Sequence, residues 1–260
     1  MTTPDRRSLR VAAVGDLHLG RTSPSVLQTL FERVAEEADV LALCGDLTDS
    51  GQPGEARHLA RELAGVKVPI VAVLGNHDHE GNETGEVSRI LGETGVQVLD
   101  GTACEIQGVG FAGIKGFCGG FGRRALGPWG EGAIKMFVRE ALDEALKLET
   151  ALGRLRAERR VVLMHYAPIQ GTVEGEPLEI YAFLGSSRLE EPLTRYPVDA
   201  VFHGHAHHGQ LEGRTRSGTP VYNVSLALLQ RRWPDRAPYR ILEIPRDRPI
   251  ARPADETAVR

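Results

Sequence analysis

Three apolar runs spaced about thirty residues apart, in residues 9–16 (LRVAAVGD), 40–46 (VLALCGD) and 68–78 (VPIVAVLGNHD), constrain the fold of this chain more than any other feature. None alternates apolar with polar residues, as a strand with one wet face would, so each reads as a parallel strand buried on both sides. Each ends in glycine and polar residues and is followed by a helical pattern. The first pattern carries Val26, Leu27, Leu30, Val34 and Ala38 at helical spacing, with Ser23 or Ser25 as N-cap and Pro24 in the first turn. The others cover residues 54–63 and 84–91. These are consecutive strand-and-helix units.

After Gly95 the segments shorten, and residues 97–114 read as strands with a glycine-containing hairpin. The glycine-rich stretch 115–130 reads as a long ordered loop, and residues 132–158 as a charged helix. A buried strand then ends at His165. A polar, acidic loop spans 169–184, a helix 187–196, and VDAVFHGHAHHG is again strand then polar loop. GQLEGRT, TPVYNVS and YRILEIP read as hairpin strands, and residues 251–260 as a flexible tail. This pattern predicts one domain over residues 1–250 with an α/β fold, a four-layer α-β-β-α sandwich of two mixed sheets flanked by helices.

Composition bounds the partners. Lys and Arg number 31 against 35 Asp and Glu, a net charge of −4, which gives no whole-protein attraction to nucleic acid or an anionic membrane. No stretch has the length of a secretory core or a membrane span. Cys44, Cys104 and Cys118 are odd in number and far apart, and a reducing cytoplasm is the expected compartment.

Metal-capable side chains stand behind five of the apolar runs: Asp16 and His18, Asp46, Asn76 and His77, His165, and His205 and His207. The carboxyl ends of parallel strands face one crevice, so residues distant in the chain can meet there. Carboxylate, carboxamide and imidazole donors suit Mn²⁺, Fe²⁺ or Zn²⁺, and the absence of cysteine from the set argues against a thiolate zinc site. The candidate donors are too many for one ion and enough for two if a carboxylate bridges. Paired metals are suited to hydrolysing a phosphate ester.

In order, Asp16-x-His18, GDLTD (45–49), GNHD (75–78), the lone His165 and GHAH (204–207) resemble the calcineurin-like metallophosphoesterases over about residues 10–225. The resemblance implies one ion held by Asp16, His18, Asp46 and His207, and another by Asp46, Asn76, His165 and His205, with Mn or Fe favoured. It implies attack by a metal-bridging hydroxide on a small phosphate ester; a phosphodiester is the favoured reading, with a phosphomonoester, of a nucleotide or a protein, as the alternative. His77 is then expected to assist the phosphoryl or leaving-group oxygen and Asp78 to tune His77. The complete set counts against a non-catalytic scaffold.

The remaining polar residues have plainer readings. Asp49 is expected to hydrogen-bond its loop, His58 to be structural, and His79, His203 and His208 to flank the site, with His203 orienting a metal-bound imidazole. Arg123, Arg124, Phe117, Phe121 and Trp129 are candidates for substrate contact, as are Glu174 and Glu176. The arginines of 153–160 and 231–236 read as a helix end and a solvated tail.

Overall fold

A computed structural model of the protein describes residues 7–246; the expected tail at 251–260 lies outside them. Strand β1 (Ser8–Val14) leads through α1 (Pro24–Glu37) to β2 (Val40–Cys44), and α2 (Pro53–Leu63) leads to β3 (Ile70–Val73). A single turn, α3 (His77–Glu80), and α4 (Thr84–Glu93) follow, then β4 (Gln97–Val98), β5 (Thr102–Ile106) and β6 (Val109–Gly113). Helix α5 (Gly132–Arg154) connects to β7 (Arg159–Leu163). Beyond it come α6 (Tyr181–Leu184), α7 (Glu190–Arg195), β8 (Ala200–His203), β9 (Glu212–Arg214), β10 (Pro220–Asn223), α8 (Leu226–Arg232) and β11 (Arg240–Pro245).

The strands form two mixed sheets, ordered β11-β1-β2-β3-β4 and β5-β6-β7-β8-β10-β9. In each, the central strands run parallel; antiparallel strands close one edge of the first sheet (β11) and both edges of the second (β5 and β9), while β4 ends the first sheet in parallel with β3. The sheets face one another, β2 against β7 and β3 against β6, with helices outside, which is the α-β-β-α sandwich expected from the sequence. Period-two alternation makes the layers. Phe111, Val161, Leu163 and Phe202 point into the core between the sheets, while Ala112, Val162 and Val201 point outward to Leu148, Leu152 and Leu189. Helix α1 buries Leu27, Leu30, Phe31 and Val34, one apolar face at three- and four-residue spacing. Burying each such side chain contributes about 1.5–3 kcal/mol.

Two expectations need correction, and one unassigned segment gains an element. The YRILEIP segment is a strand, but it is no hairpin with its neighbours: β11 crosses to the first sheet and pairs antiparallel with β1, Val11 opposite Leu242. Residues 226–232, which the sequence left unassigned between two strands, form α8, which buries Leu226, Leu228 and Leu229. Ser23 takes the N-cap position of α1 without a side-chain cap, and its hydroxyl instead meets that of Ser25 at 2.8 Å.

Candidate metal centre

Strands β1, β2, β3, β7 and β8 are parallel within their sheets, so the polar residues following each emerge at one edge. The segments there are bonded to one another: the Asp16 N–H donates to Gly45 O at 2.8 Å and the His18 N–H to Asp46 O at 2.9 Å. Turning the side chains inward requires unusual backbone. Asp16 (φ 57°), His18 (41°), Asp46 (47°) and His205 (68°) make up four of the six non-glycine residues with positive φ among those described. That conformation costs about 1–2 kcal/mol per residue and persists where surrounding structure enforces it. The motif glycines leave room for the opposite sheet. A Cβ on Gly45, itself at φ +82°, would stand 2.5 Å from His165 Nδ1, and one on Gly204 would enter the Asp16 carboxylate.

Six of the seven expected ligands come together as two adjacent groups with no residue in common, and Asn76 joins the second through His165. Asp16, His18 and His207 offer donor atoms within 4.8 Å of one another, and so do Asp46, His165 and His205. Asp46 Oδ2 lies between the groups, 3.7 Å from His18 Nε2 and 3.4 Å from His165 Nε2. Asn76 Oδ1 is 2.8 Å from the same His165 nitrogen, and His207 Nε2 is 2.9 Å from Asp16 Oδ1. Backbone carbonyls select the ring nitrogen that His165 and His205 turn inward. His165 Nδ1 donates to Cys44 O at 3.0 Å, leaving Nε2 for the cluster, whereas His205 Nε2 donates to Phe183 O at 3.1 Å, leaving Nδ1.

Charge is distributed unevenly across the cluster. Burial raises both carboxyls, but the His207 hydrogen bond and the His165 charge hold Asp16 below its usual range, and His165 holds Asp46 well below it. Burial pulls His165 down, and the opposing Asp46 carboxylate prevails, raising it to about 9. His207 is raised by its hydrogen bond to Asp16. Burial pushes His18 down and, with the His165 charge, takes His205 to about 4, so both rings are neutral donors.

A cation fits this donor set. Both ring nitrogens of His18 are buried without a hydrogen-bond partner, although two carboxylates and two further imidazoles surround the ring. Orphaned buried polar atoms are costly, and a metal bound through one of them relieves that cost.

His77 sits on α3 beside the cluster. Its N–H donates to Asp46 Oδ1 at 2.8 Å, its ring meets His18 edge-on at 4.6 Å, and Nδ1 donates to Asp49 O at 2.7 Å. Asp78 is placed differently from expectation. Its buried carboxylate accepts from the N–H groups of Leu47 (3.1 Å), Thr48 (2.8 Å) and Gly75 (2.8 Å) and from Thr48 Oγ1 (2.6 Å), so it ties the β2 and β3 loops together and makes no bond to the His77 ring. Asp49 does more than hold its own loop. Its carboxylate meets Arg21 Nε at 2.6 Å and stands 3.5 Å from His18 Nδ1.

Surrounding residues brace the cluster. Burial lowers His203 to about 4, and the ring is bonded to Thr172 Oγ1 and Gly204 O, so it fixes the turn into His205. His208 and Glu176 are joined through the His208 N–H, and Arg231 binds the His207 carbonyl and the His208 ring. His79 points away, into a cavity of about 240 Å³ that it shares with Lys115 and Lys147. His58 is paired with Glu62 on α2. Arg123 and Arg124 are solvent-exposed, and Arg159 and Arg160 are engaged by Asp199. Sequence reasoning missed the carbonyls of Cys44 and Phe183, because any residue type supplies a carbonyl.

Comparison with known proteins agrees with this geometry. The calcineurin-like phosphoesterase family matches residues 9–209, a span that contains every cluster residue. The fold is similar to that of a phosphopantetheinyl hydrolase from Mycobacterium tuberculosis, at TM-score 0.65 and 15% identity, covering 91% of this chain and 96% of that one. It is also similar to TT1561 of Thermus thermophilus, at TM-score 0.56 and 15% identity, covering 92% of this chain and 100% of that one. Comparison with curated proteins finds no match. Motif order, sheet topology and a match over most of the chain agree: this protein belongs to the calcineurin-like phosphoesterase family.

Proposed function

We propose that the protein hydrolyses a small phosphodiester with two divalent metal ions, one held by Asp16, His18, Asp46 and His207 and the other by Asp46, Asn76, His165 and His205. The observation that carries this reading is the single oxygen, Asp46 Oδ2, standing between His18 and His165. When bound, such a pair supplies Lewis acidity that lowers the pKa of water and neutralises phosphoryl charge. Oxygen and imidazole donors without thiolate favour Mn or Fe.

His77 is the group that acts on the ester itself. With Nδ1–H fixed on Asp49 O, Nε2 is the nitrogen left for the ester, and in the imidazolium form its N–H would hydrogen-bond a phosphoryl oxygen or pass its proton to the leaving oxygen. A diester is favoured over a monoester on charge. The arginines bonded to this cluster, Arg21 and Arg231, are already engaged by Asp49 and the His207 carbonyl, so the site offers little extra positive charge to a dianion. The cysteines are free, in keeping with a cytoplasmic location, and no helix among the described residues is long and apolar enough to cross a membrane.

The test pairs metal stoichiometry with hydrolysis of bis-p-nitrophenyl phosphate and p-nitrophenyl phosphate in Mn²⁺, beside Asp46→Asn. Two bound metals and diester cleavage, both lost in the variant, are expected. Faster monoester cleavage would make the protein a phosphatase. No bound metal and no activity on adding Mn²⁺ would overturn the reading.

A further inference from the structure

Six large apolar side chains stand well open to solvent among the described residues, and five belong to two short stretches: Trp129 and Met136, then Leu178, Ile180 and Phe183. Their exposure runs from 38% for Ile180 to 76% for Leu178, whereas single exposed apolar residues are ordinarily scattered. Both stretches follow strands that end at the catalytic edge, β6 and β7. The loops carrying them are also bonded together. Gly119 N–H donates to Ala182 O at 2.8 Å, Gly120 N–H to Gly185 O at 2.9 Å, and Arg188 Nη2 to Leu126 O at 3.3 Å.

One contact joins this rim to the metal centre. The carbonyl that receives His205 Nε2–H belongs to Phe183, so an exposed phenyl ring is carried by the residue that orients a metal-capable imidazole. The loop that carries Leu178, Ile180 and Phe183 therefore borders the cluster at His205. Charge does not offer a rival attraction. Arg123, Arg124, Lys135 and Arg188 stand against Glu131, Glu174, Glu176 and Glu179 across the two stretches and their flanks, so the rim has no field of one sign.

We propose that this rim binds a hydrocarbon substituent of the phosphate ester, which makes the substrate a lipid-like phosphoester; the inference rests on the hydrolase reading above. Trp129, Leu178 and Phe183 are then specificity-determining residues. Each methylene taken out of water strengthens binding about fourfold when fully buried. A rim open on one side gives half of that free energy, about twofold per methylene, or ~60-fold from an ethyl to an octyl group.

The experiment measures kcat/KM of the full chain in Mn²⁺ on alkyl p-nitrophenyl phosphates and on alkyl monophosphates, from ethyl to octyl. A rise of tenfold or more with chain length, reduced at least fivefold in the Trp129→Ser/Leu178→Ser double variant, is the expected result. The octyl-to-ethyl ratio within each protein is the readout, so a general loss of activity does not imitate the effect. A flat ratio in the unaltered protein overturns the rim assignment and leaves the hydrolase reading standing. So does a gradient that the double variant preserves, or a dimer in sedimentation that the double variant dissociates. Failure to hydrolyse any member of either series overturns the hydrolase reading, and the rim proposal with it.

Discussion

His165, His205 and His77 each have one ring nitrogen held by a backbone carbonyl and the other left free to act, and His77 is held by the Asp49 carbonyl. Because its ring belongs to neither of the two proposed ligand sets, His77→Ala is expected to retain both metals. It should lower kcat by about 10²-fold or more on an alkyl leaving group, and less on p-nitrophenolate, which needs no proton. Metal analysis beside a leaving-group series checks this, and loss of both metals would make His77 a ligand. His165 gives a second expectation. At about 9 its ring is protonated at neutral pH, and ligation requires the neutral ring, so metal binding expels that proton. Affinity should fall as pH drops below 9. Calorimetry in two buffers of different ionisation enthalpy reads the proton release, and equal heats would contradict it.

At the scale of elements, the centre is a set of loops pinned to one another. Asp78 joins the β2 loop to the β3 loop through four hydrogen bonds. Asp78→Ala leaves three buried N–H groups without that acceptor, and a loss of about 2–4 kcal/mol in urea unfolding is expected. Because Asp46 and Asn76 lie on those loops, weaker metal binding should accompany it. Glu144 plays the corresponding part on α5. Its buried carboxylate accepts from the Gly116 N–H and from Lys147 Nζ, each at 2.7 Å, and the adjacent Lys115 carbonyl receives the His165 N–H. Glu144→Ala should cost about 1–3 kcal/mol, by leaving the buried Gly116 N–H without its acceptor, while Lys147 keeps Asp100 at 2.9 Å; thermal melting of the variant checks it.

In the whole molecule, the two sheets meet where carboxylates and imidazoles from both are packed together. A metal at that seam binds the folded chain and not the unfolded one, so it stabilises the union of the sheets. At a hundredfold excess over Kd each ion contributes about 2.7 kcal/mol, or roughly 5–10 °C in Tm for a chain of this size. Chelation should lower Tm by that amount per site in calorimetry. Asp46→Asn should start lower and respond little to the chelator.

The parallel strands and the residues behind them were legible in the sequence because burial on both faces excludes polar alternation, and because aspartate, asparagine and histidine behind such runs have few other uses. The hairpin of β5 and β6 was legible for a local reason, since Gln107 and Gly108, both at positive φ, make the turn between adjacent strands. The pairing of β11 with β1 was not, because alternation marks a strand without naming a partner some 230 residues away. The apolar spacing of residues 226–232 serves a strand or a short helix equally until packing decides. So the sequence by itself determined the chemistry of the donors and the edge at which they gather. Only the tertiary structure decided which nitrogen of His165 and of His205 faces the centre, that Asp46 stands between the two groups, and that Asp78 holds backbone. Those choices rest on hydrogen bonds between atoms far apart in the chain, and no local pattern records them.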